Sequence, residues 1–133
     1  MEIVVCSHGE FGKELIRSAE MIVGTIKGIQ SFSLLPSMSI EEYINEIRGS
    51  ISKDIEYLFL VDLFGGTPSN ATTLLMKEYK INMVTGVNLA CLLEVSMAVG
   101  NQNLSHDELI ALAKSTIENS SRTMSYKSIK EVA

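Results

Sequence analysis

The chain has 133 residues, of which 46% are apolar and 20% charged, a balance that fits one soluble globular domain and not a disordered chain. Lysine and arginine number 11 against 16 acidic residues, for a formal charge of −5, so the basic footprint of a general nucleic-acid binder is missing. The longest apolar runs, such as Tyr57–Val61, are far too short to span a bilayer. Met1-Glu2 leads straight into Ile3-Val4-Val5 without a basic start, so the expectation is a cytoplasmic protein with no membrane insertion.

Residues 3–6 form a short β-branched run that ends at Ser7-His8-Gly9-Glu10. Phe11, Leu15, Ala19 and Ile22 then recur at helical spacing, and Gly24 falls where a C-terminal cap belongs. Residues 29–34 read as a second strand, closed by Leu35-Pro36-Ser37. Ser39-Ile40-Glu41-Glu42 matches a capping box, Met38 and Tyr43 take the staple positions, and Ile40, Ile44, Ile47 and Ile51 make an apolar stripe. Tyr57–Val61 is unbroken and apolar, as in a parallel strand covered on both faces. It stops at Asp62, turns through Leu63-Phe64-Gly65-Gly66, and enters a helix at Thr67-Pro68, read as an N-cap followed by proline at the first helical position. Ile81–Thr85 is a fourth strand, Gly86-Val87-Asn88 leads into a helix from about Leu89 to Val99, and Ser105-His106-Asp107-Glu108 is a second capping box.

The pattern β-α-β-α-β-α-β-α-α predicts an open, doubly wound, mainly parallel α/β sheet with helices on both faces. In such sheets ligands bind beyond the carboxyl ends of the strands, where strand order reverses. That rule selects residues 7–10, 35–37, 62–66 and 86–88. With strand order 2-1-3-4, His8 and Asp62 face one crevice from adjacent strand ends.

A carboxylate that accepts from one imidazole nitrogen fixes the tautomer and leaves the other nitrogen with a free lone pair. A helix start after two glycines offers unpaired backbone N–H groups to an anion, notably phosphate. Together these suggest phosphoryl transfer through His8, an arrangement that needs no metal. Pattern alone equally accommodates His8 as a turn filler, Asp62 as a structural turn residue, the glycines as turn geometry only and Thr67 as a plain cap. It also accommodates a non-covalent anion- or nucleotide-binding regulatory module. The glycine turn matches neither a Walker loop nor the GxGxxG fingerprint. Cys6 and Cys91 lack metal or redox spacing and read as small buried hydrophobes, His106 reads as surface capping apparatus, and the methionines, including Met21, Met76, Met83 and Met97, read as core filler.

Several segments, in this order and spacing, make the chain resemble enzyme IIA of the mannose-type bacterial phosphotransferase system. They are Ser7-His8-Gly9, the run from Ser18 to Gly24, the run from Val61 through Asp62 and Gly65-Gly66-Thr67-Pro68 to Ala71, Thr85-Gly86-Val87-Asn88-Leu89, and Asp107-Glu108-Leu109. The resemblance implies that His8 accepts a phosphoryl group from the phosphocarrier protein HPr on its remote ring nitrogen and passes it to a separate IIB protein. It implies that Asp62 orients His8 and that Gly65, Gly66 and Thr67 bind the phosphate, with no cofactor or metal. It also implies one domain over residues 1–133, with a core over 1–122 and a tail over 123–133. The tail includes a candidate exchanged strand at 124–129 in a homodimer. Two departures stand beside the motifs: Ala90 replaces a common proline, and Ser69 a common aromatic. The phosphocarrier subunit of dihydroxyacetone kinase is the nearest alternative within the class, and it usually lacks the Phe-Gly-Gly-Thr-Pro segment.

Overall fold

The computed structural model describes residues 1–100, 103–125 and 127. Four strands and five helices are formed among them: β1 (Glu2–His8), α1 (Phe11–Val23), β2 (Gln30–Leu34), α2 (Ile40–Arg48), β3 (Tyr57–Val61), α3 (Thr67–Leu75), β4 (Ile81–Thr85), α4 (Leu89–Ala98) and α5 (His106–Ser120). All strand pairs are parallel and the order is β2-β1-β3-β4, as the sequence pattern predicts. No helix among the described residues is long and apolar enough to cross a membrane.

The central strands β1 and β3 divide their side chains between two cores by the two-residue period of a strand. Ile3, Val5, Leu58 and Leu60 pack with residues of α1, α4 and α5. Val4, Cys6, Phe59 and Val61 pack on the other face with residues of α2 and α3. Burying each such side chain stabilises the fold by roughly 1.5–3 kcal/mol, so the two faces together hold β1 and β3 firmly side by side.

The ladders do not end level. β1 pairs with β3 only as far as Cys6 opposite Val61, whereas its pairing with β2 runs on to His8 opposite Leu34. β1 therefore outruns β3 by two residues, and Asp62, next after Val61, stands beside that projecting end.

Several expectations need correction. The first strand extends through Ser7 and His8, so His8 ends a strand instead of sitting in a loop. On α1 the buried residues are Gly12, Ile16 and Ala19; Phe11 and Ile22 lie exposed, because the helix turns its small face to the sheet. On α2 the buried face is Tyr43, Ile44 and Ile47, while Ile40 is exposed at the first turn. The N-cap of α3 is Gly66, which puts Thr67 inside the helix and Pro68 at its second position. Met21, Met76 and Met97 are exposed, and of the four named methionines only Met83 packs against a core. Both cysteines are free and buried, as expected. Of the segment 124–129, Met124, Ser125 and Lys127 carry no regular secondary structure and the rest lies outside the described residues.

Candidate functional site

The projecting end of β1 explains how His8 and Asp62 meet. The Asp62 N–H continues the sheet by donating to the Cys6 carbonyl at 3.1 Å. Its side chain then takes the place of the next strand residue: Oδ2 accepts the His8 backbone N–H at 2.9 Å. The same oxygen lies 2.8 Å from His8 Nδ1. With Asp62 ionised, that contact makes Nδ1 the protonated nitrogen and leaves the lone pair of the neutral ring on Nε2. Because two bonds converge on one oxygen, backbone and ring are fixed together. Asp62 Oδ1 is buried and has no hydrogen-bond partner among the described residues.

Ser7, which sequence reasoning passed over as a ligand of anything, anchors the turn after His8. It is fully buried. Its Oγ accepts the Gly12 N–H at 2.8 Å and donates to the Gly9 carbonyl at 3.2 Å. It thereby serves one of the open N–H groups at the start of α1, whose own N-cap Glu10 makes no side-chain cap bond. Gly12 is needed for the approach, because a Cβ there would stand 2.9 Å from Val5 Cγ1. The Gly9 N–H donates to the Leu34 carbonyl at 2.8 Å, which ties the same turn to β2.

The outer edge of the imidazole rests on Gly66. A Cβ there would lie 2.7 Å from His8 Cε1 and 3.2 Å from Nε2. The backbone of Gly66 is extended, with φ −80° and ψ 174°, so any residue could adopt it; the glycine is required by the ring and not by the chain. Gly65, by contrast, has φ +81°, which favours glycine on conformational grounds. Gly66 is also the N-cap of α3, so Nε2 faces a helix start. Thr67 is the first residue of that helix.

The loop at 86–88 behaves differently. The N–H groups of Gly86 and Val87 both donate to the Val61 carbonyl, at 2.8 and 3.1 Å, which seats the loop against the end of β3. Asn88 is committed elsewhere: its Oδ1 caps α4 by accepting the Cys91 N–H at 2.8 Å, and its Nδ2 donates to Ser120 Oγ at 2.9 Å. Leu35, Leu63 and Phe64 are exposed on the neighbouring loops. A groove of about 570 Å³ between α2 and α3 holds neither His8 nor Asp62. The His8 side chain is 48% exposed.

The fold and this geometry define a class: an open parallel α/β domain that presents a carboxylate-held histidine to a helix N-terminus at its switch point. The family model for the PTS system fructose IIA component matches residues 2–114. The sorbose-specific EIIA component of the phosphotransferase system (PTS) from Lacticaseibacillus casei is 31% identical over 96% of this chain and 93% of that protein. The mannose-specific EIIAB component from Escherichia coli K12 is 30% identical over 98% of this chain, which spans only 42% of that longer relative. Among solved structures, phosphotransferase system component EIIA from Streptococcus agalactiae superposes with a TM-score of 0.79 at 25% identity, covering 90% of this chain and 93% of that one. The chain belongs to the mannose-type EIIA family of PTS components.

Proposed function

We propose that the chain is a phosphocarrier in which His8 accepts a phosphoryl group from HPr and passes it to a IIB component. The observation that carries this reading is the imidazole held between Asp62 Oδ2 at Nδ1 and the Gly66 backbone beside Nε2. In the accepting step the Nε2 lone pair attacks phosphorus. An N–P bond forms as the donor's own N–P bond breaks, and the donor imidazole leaves with that electron pair. The Nδ1 proton stays in place, and Asp62 balances the positive charge that develops on the ring. Backbone N–H groups from Gly65 to Thr67 hold the equatorial phosphoryl oxygens. The second transfer is the reverse displacement, onto a nucleophile of the IIB component.

The remaining expectations join this proposal. The chain acts in the cytoplasm as one EIIA domain with its core in residues 1–122. It pairs as a homodimer. In support, β4 stands at the edge of the described sheet, with β3 as its neighbour.

The test is labelling from phosphoenolpyruvate in the presence of enzyme I and HPr. The wild-type chain acquires acid-labile phosphate that survives denaturation at alkaline pH, and His8→Ala acquires none. Label retained on His8→Ala overturns the assignment.

A further inference from the structure

His8 is the last residue of β1, and the side chain before it points the other way. Ile3 and Val5 pack on the α1 side of the sheet, and Val4 and Cys6 pack on the α2–α3 side. The same alternation sends Ser7 towards α1. There its hydroxyl makes two bonds to the chain that leaves His8. Oγ accepts the Gly12 N–H at 2.8 Å and donates to the Gly9 carbonyl at 3.2 Å. The second bond spans His8 itself, from the residue before it to the residue after it. The His8 N–H is held on Asp62 Oδ2 at 2.9 Å, and the Gly9 N–H on the Leu34 carbonyl at 2.8 Å. These backbone bonds set the direction of the His8 Cα–Cβ bond. Asp62 at Nδ1 and Gly66 beside Cε1 then set the ring.

Ser7 is not an ordinary helix cap. A side-chain cap usually comes from the residue just before the helix. Ser39 caps α2 in that way through the Glu42 N–H, and Ser105 caps α5 through the Glu108 N–H, both at 3.1 Å. At α1 that residue is Glu10, which makes no side-chain cap bond, and the hydroxyl comes instead from the strand, five residues before Gly12. The approach is close. A Cβ on Gly12 would stand 3.1 Å from Ser7 Oγ and 2.9 Å from Val5 Cγ1. The start of α1 and the end of β1 are therefore joined through one hydroxyl, with His8 between them. Removing it takes this partner from the buried Gly12 N–H, and the turn must shift to satisfy that group.

We propose that Ser7 is a positioning residue for phosphoryl transfer: its hydroxyl fixes the turn that leaves His8, and with it the place of Nε2 against the helix start at Gly66. It acts through the His8 backbone and not on the ring. This rests on the reading that Nε2 takes the phosphoryl group, because only then does the place of the ring govern a rate. A misplacement of about 1 Å at a reacting centre costs ~10²-fold.

The experiment compares wild type with Ser7→Ala, Ser7→Thr and Ser105→Ala. The last deletes a hydroxyl cap at a helix start remote from His8. Each is followed by thermal unfolding, by the rate of phosphoryl uptake at limiting and saturating HPr, and by the ¹⁵N shifts of the His8 ring and backbone amide in the unphosphorylated chain. Ser7→Ala is expected to fold and to lose about tenfold in saturated rate with an unchanged HPr dependence, as a displacement well under 1 Å would give. Its His8 shifts should move. Ser7→Thr, which keeps the hydroxyl, should hold both near wild type, and Ser105→Ala should lose thermal stability with neither change. Wild-type rate and shifts in Ser7→Ala overturn the proposal. So does a rate loss no larger than the loss of folded protein, or one that Ser105→Ala or a folded Ser7→Thr shares. Should Ser7→Ala not fold, Ser7→Cys, whose thiol is a weaker donor and acceptor, carries the same comparison. If the wild-type chain takes up no label, it is the phosphocarrier reading that fails; the His8 shifts then decide the role of Ser7 alone, displaced shifts supporting it and unchanged shifts overturning it.

Discussion

The chain has two histidines, and each meets a carboxylate through Nδ1. His8 lies 2.8 Å from Asp62 Oδ2 and His106 lies 3.0 Å from Glu56 Oε2; the two imidazole side chains are 48% and 49% exposed. By pair geometry they are near equals, yet they occupy opposite ends of the sheet. Asp62 follows β3 at its carboxyl end, and Glu56 precedes β3 at its amino end. Glu56 Oε2 also accepts Asn82 Nδ2 at 3.1 Å, so it binds β4 as well as α5, while Asp62 Oδ2 gives both of its bonds to His8. His106 is the first residue of α5, where Ser105 already caps the helix by accepting the Glu108 N–H at 3.1 Å. The difference teaches that a histidine–carboxylate pair does not make a site. The proposed site at His8 is marked further by what lies beside its second nitrogen, a glycine at the start of a helix.

The largest expected effect breaks the symmetry outright. His8→Ala abolishes phosphoryl uptake and His106→Ala leaves it at the wild-type rate, each measured by the enzyme I–HPr labelling assay. Equal losses in the two variants would erase the distinction. Next come the carboxylates. Asp62→Asn removes the charge that balances the imidazolium, and an amide N–H turned to the ring favours the wrong tautomer; the uptake rate falls by up to about 10⁴-fold, the loss seen when the buried aspartate of a serine-protease triad becomes asparagine. Far-UV circular dichroism stays unchanged, since the strand ladders are backbone pairings that this side chain only extends at His8. Glu56→Gln leaves uptake unchanged and lowers stability by no more than about 1 kcal/mol, because its pair is exposed and screened. Chemical unfolding of both variants beside the labelling assay separates these outcomes.

Gly66→Ala isolates the close approach on which the proposed site at His8 rests. The extended backbone at Gly66 tolerates alanine, so the variant folds, but the added Cβ meets the ring at Cε1 and must displace it. Uptake falls by about 10²-fold, the scale of a 1 Å misplacement. An alanine variant with both wild-type uptake and a crystal structure showing the ring unmoved would return Gly66 to an ordinary turn residue.

The meeting of His8 and Asp62 was legible because both stand at the carboxyl ends of neighbouring strands. The alternation of strands and helices places Asp62 beside His8 through the switch-point rule, without any contact being visible in the sequence. What stayed hidden has physical causes. The extension of β1 depends on Asp62 standing in for a missing ladder partner, and polar Ser7 and His8 give no apolar period to reveal it. Thr67-Pro68 fits a cap followed by a first helical proline, but the chain begins the helix one residue earlier, with Gly66 outside it. The ring's need for space at Gly66 is a tertiary contact. Phe11 and Ile22 fit a helical stripe by spacing, yet α1 turns Gly12, Ile16 and Ala19 to the sheet, since only a side as small as Gly12 fits against Val5 and Ser7. Tyr43 reads as a staple residue by position, and nothing in its spacing announces a hydroxyl bonded to Phe32.

The smallest effect concerns what lies behind each histidine region. Cys6 is buried below His8, and Cys91 is buried under α5 with its thiol donating to the Ala113 carbonyl at 3.6 Å. Burial raises Cys6 from 9.0 to about 12 and Cys91 from 9.0 to about 11, because a thiolate is poorly solvated in either core. The unfolded chain releases these protons near 9.0 and the folded chain only at the higher values, so between those limits the unfolded state binds fewer protons and stability falls as pH rises. The contribution of each thiol is whole below pH 9.0 and is lost as pH climbs towards about 12 for Cys6 and about 11 for Cys91. Urea unfolding from pH 8 upward should therefore show an alkaline decline that Cys6→Ala flattens over a wider range than Cys91→Ala. All other titrating groups are common to the three proteins and cancel in the differences. Equal slopes in wild type and Cys6→Ala would mean that the thiol below His8 is solvated.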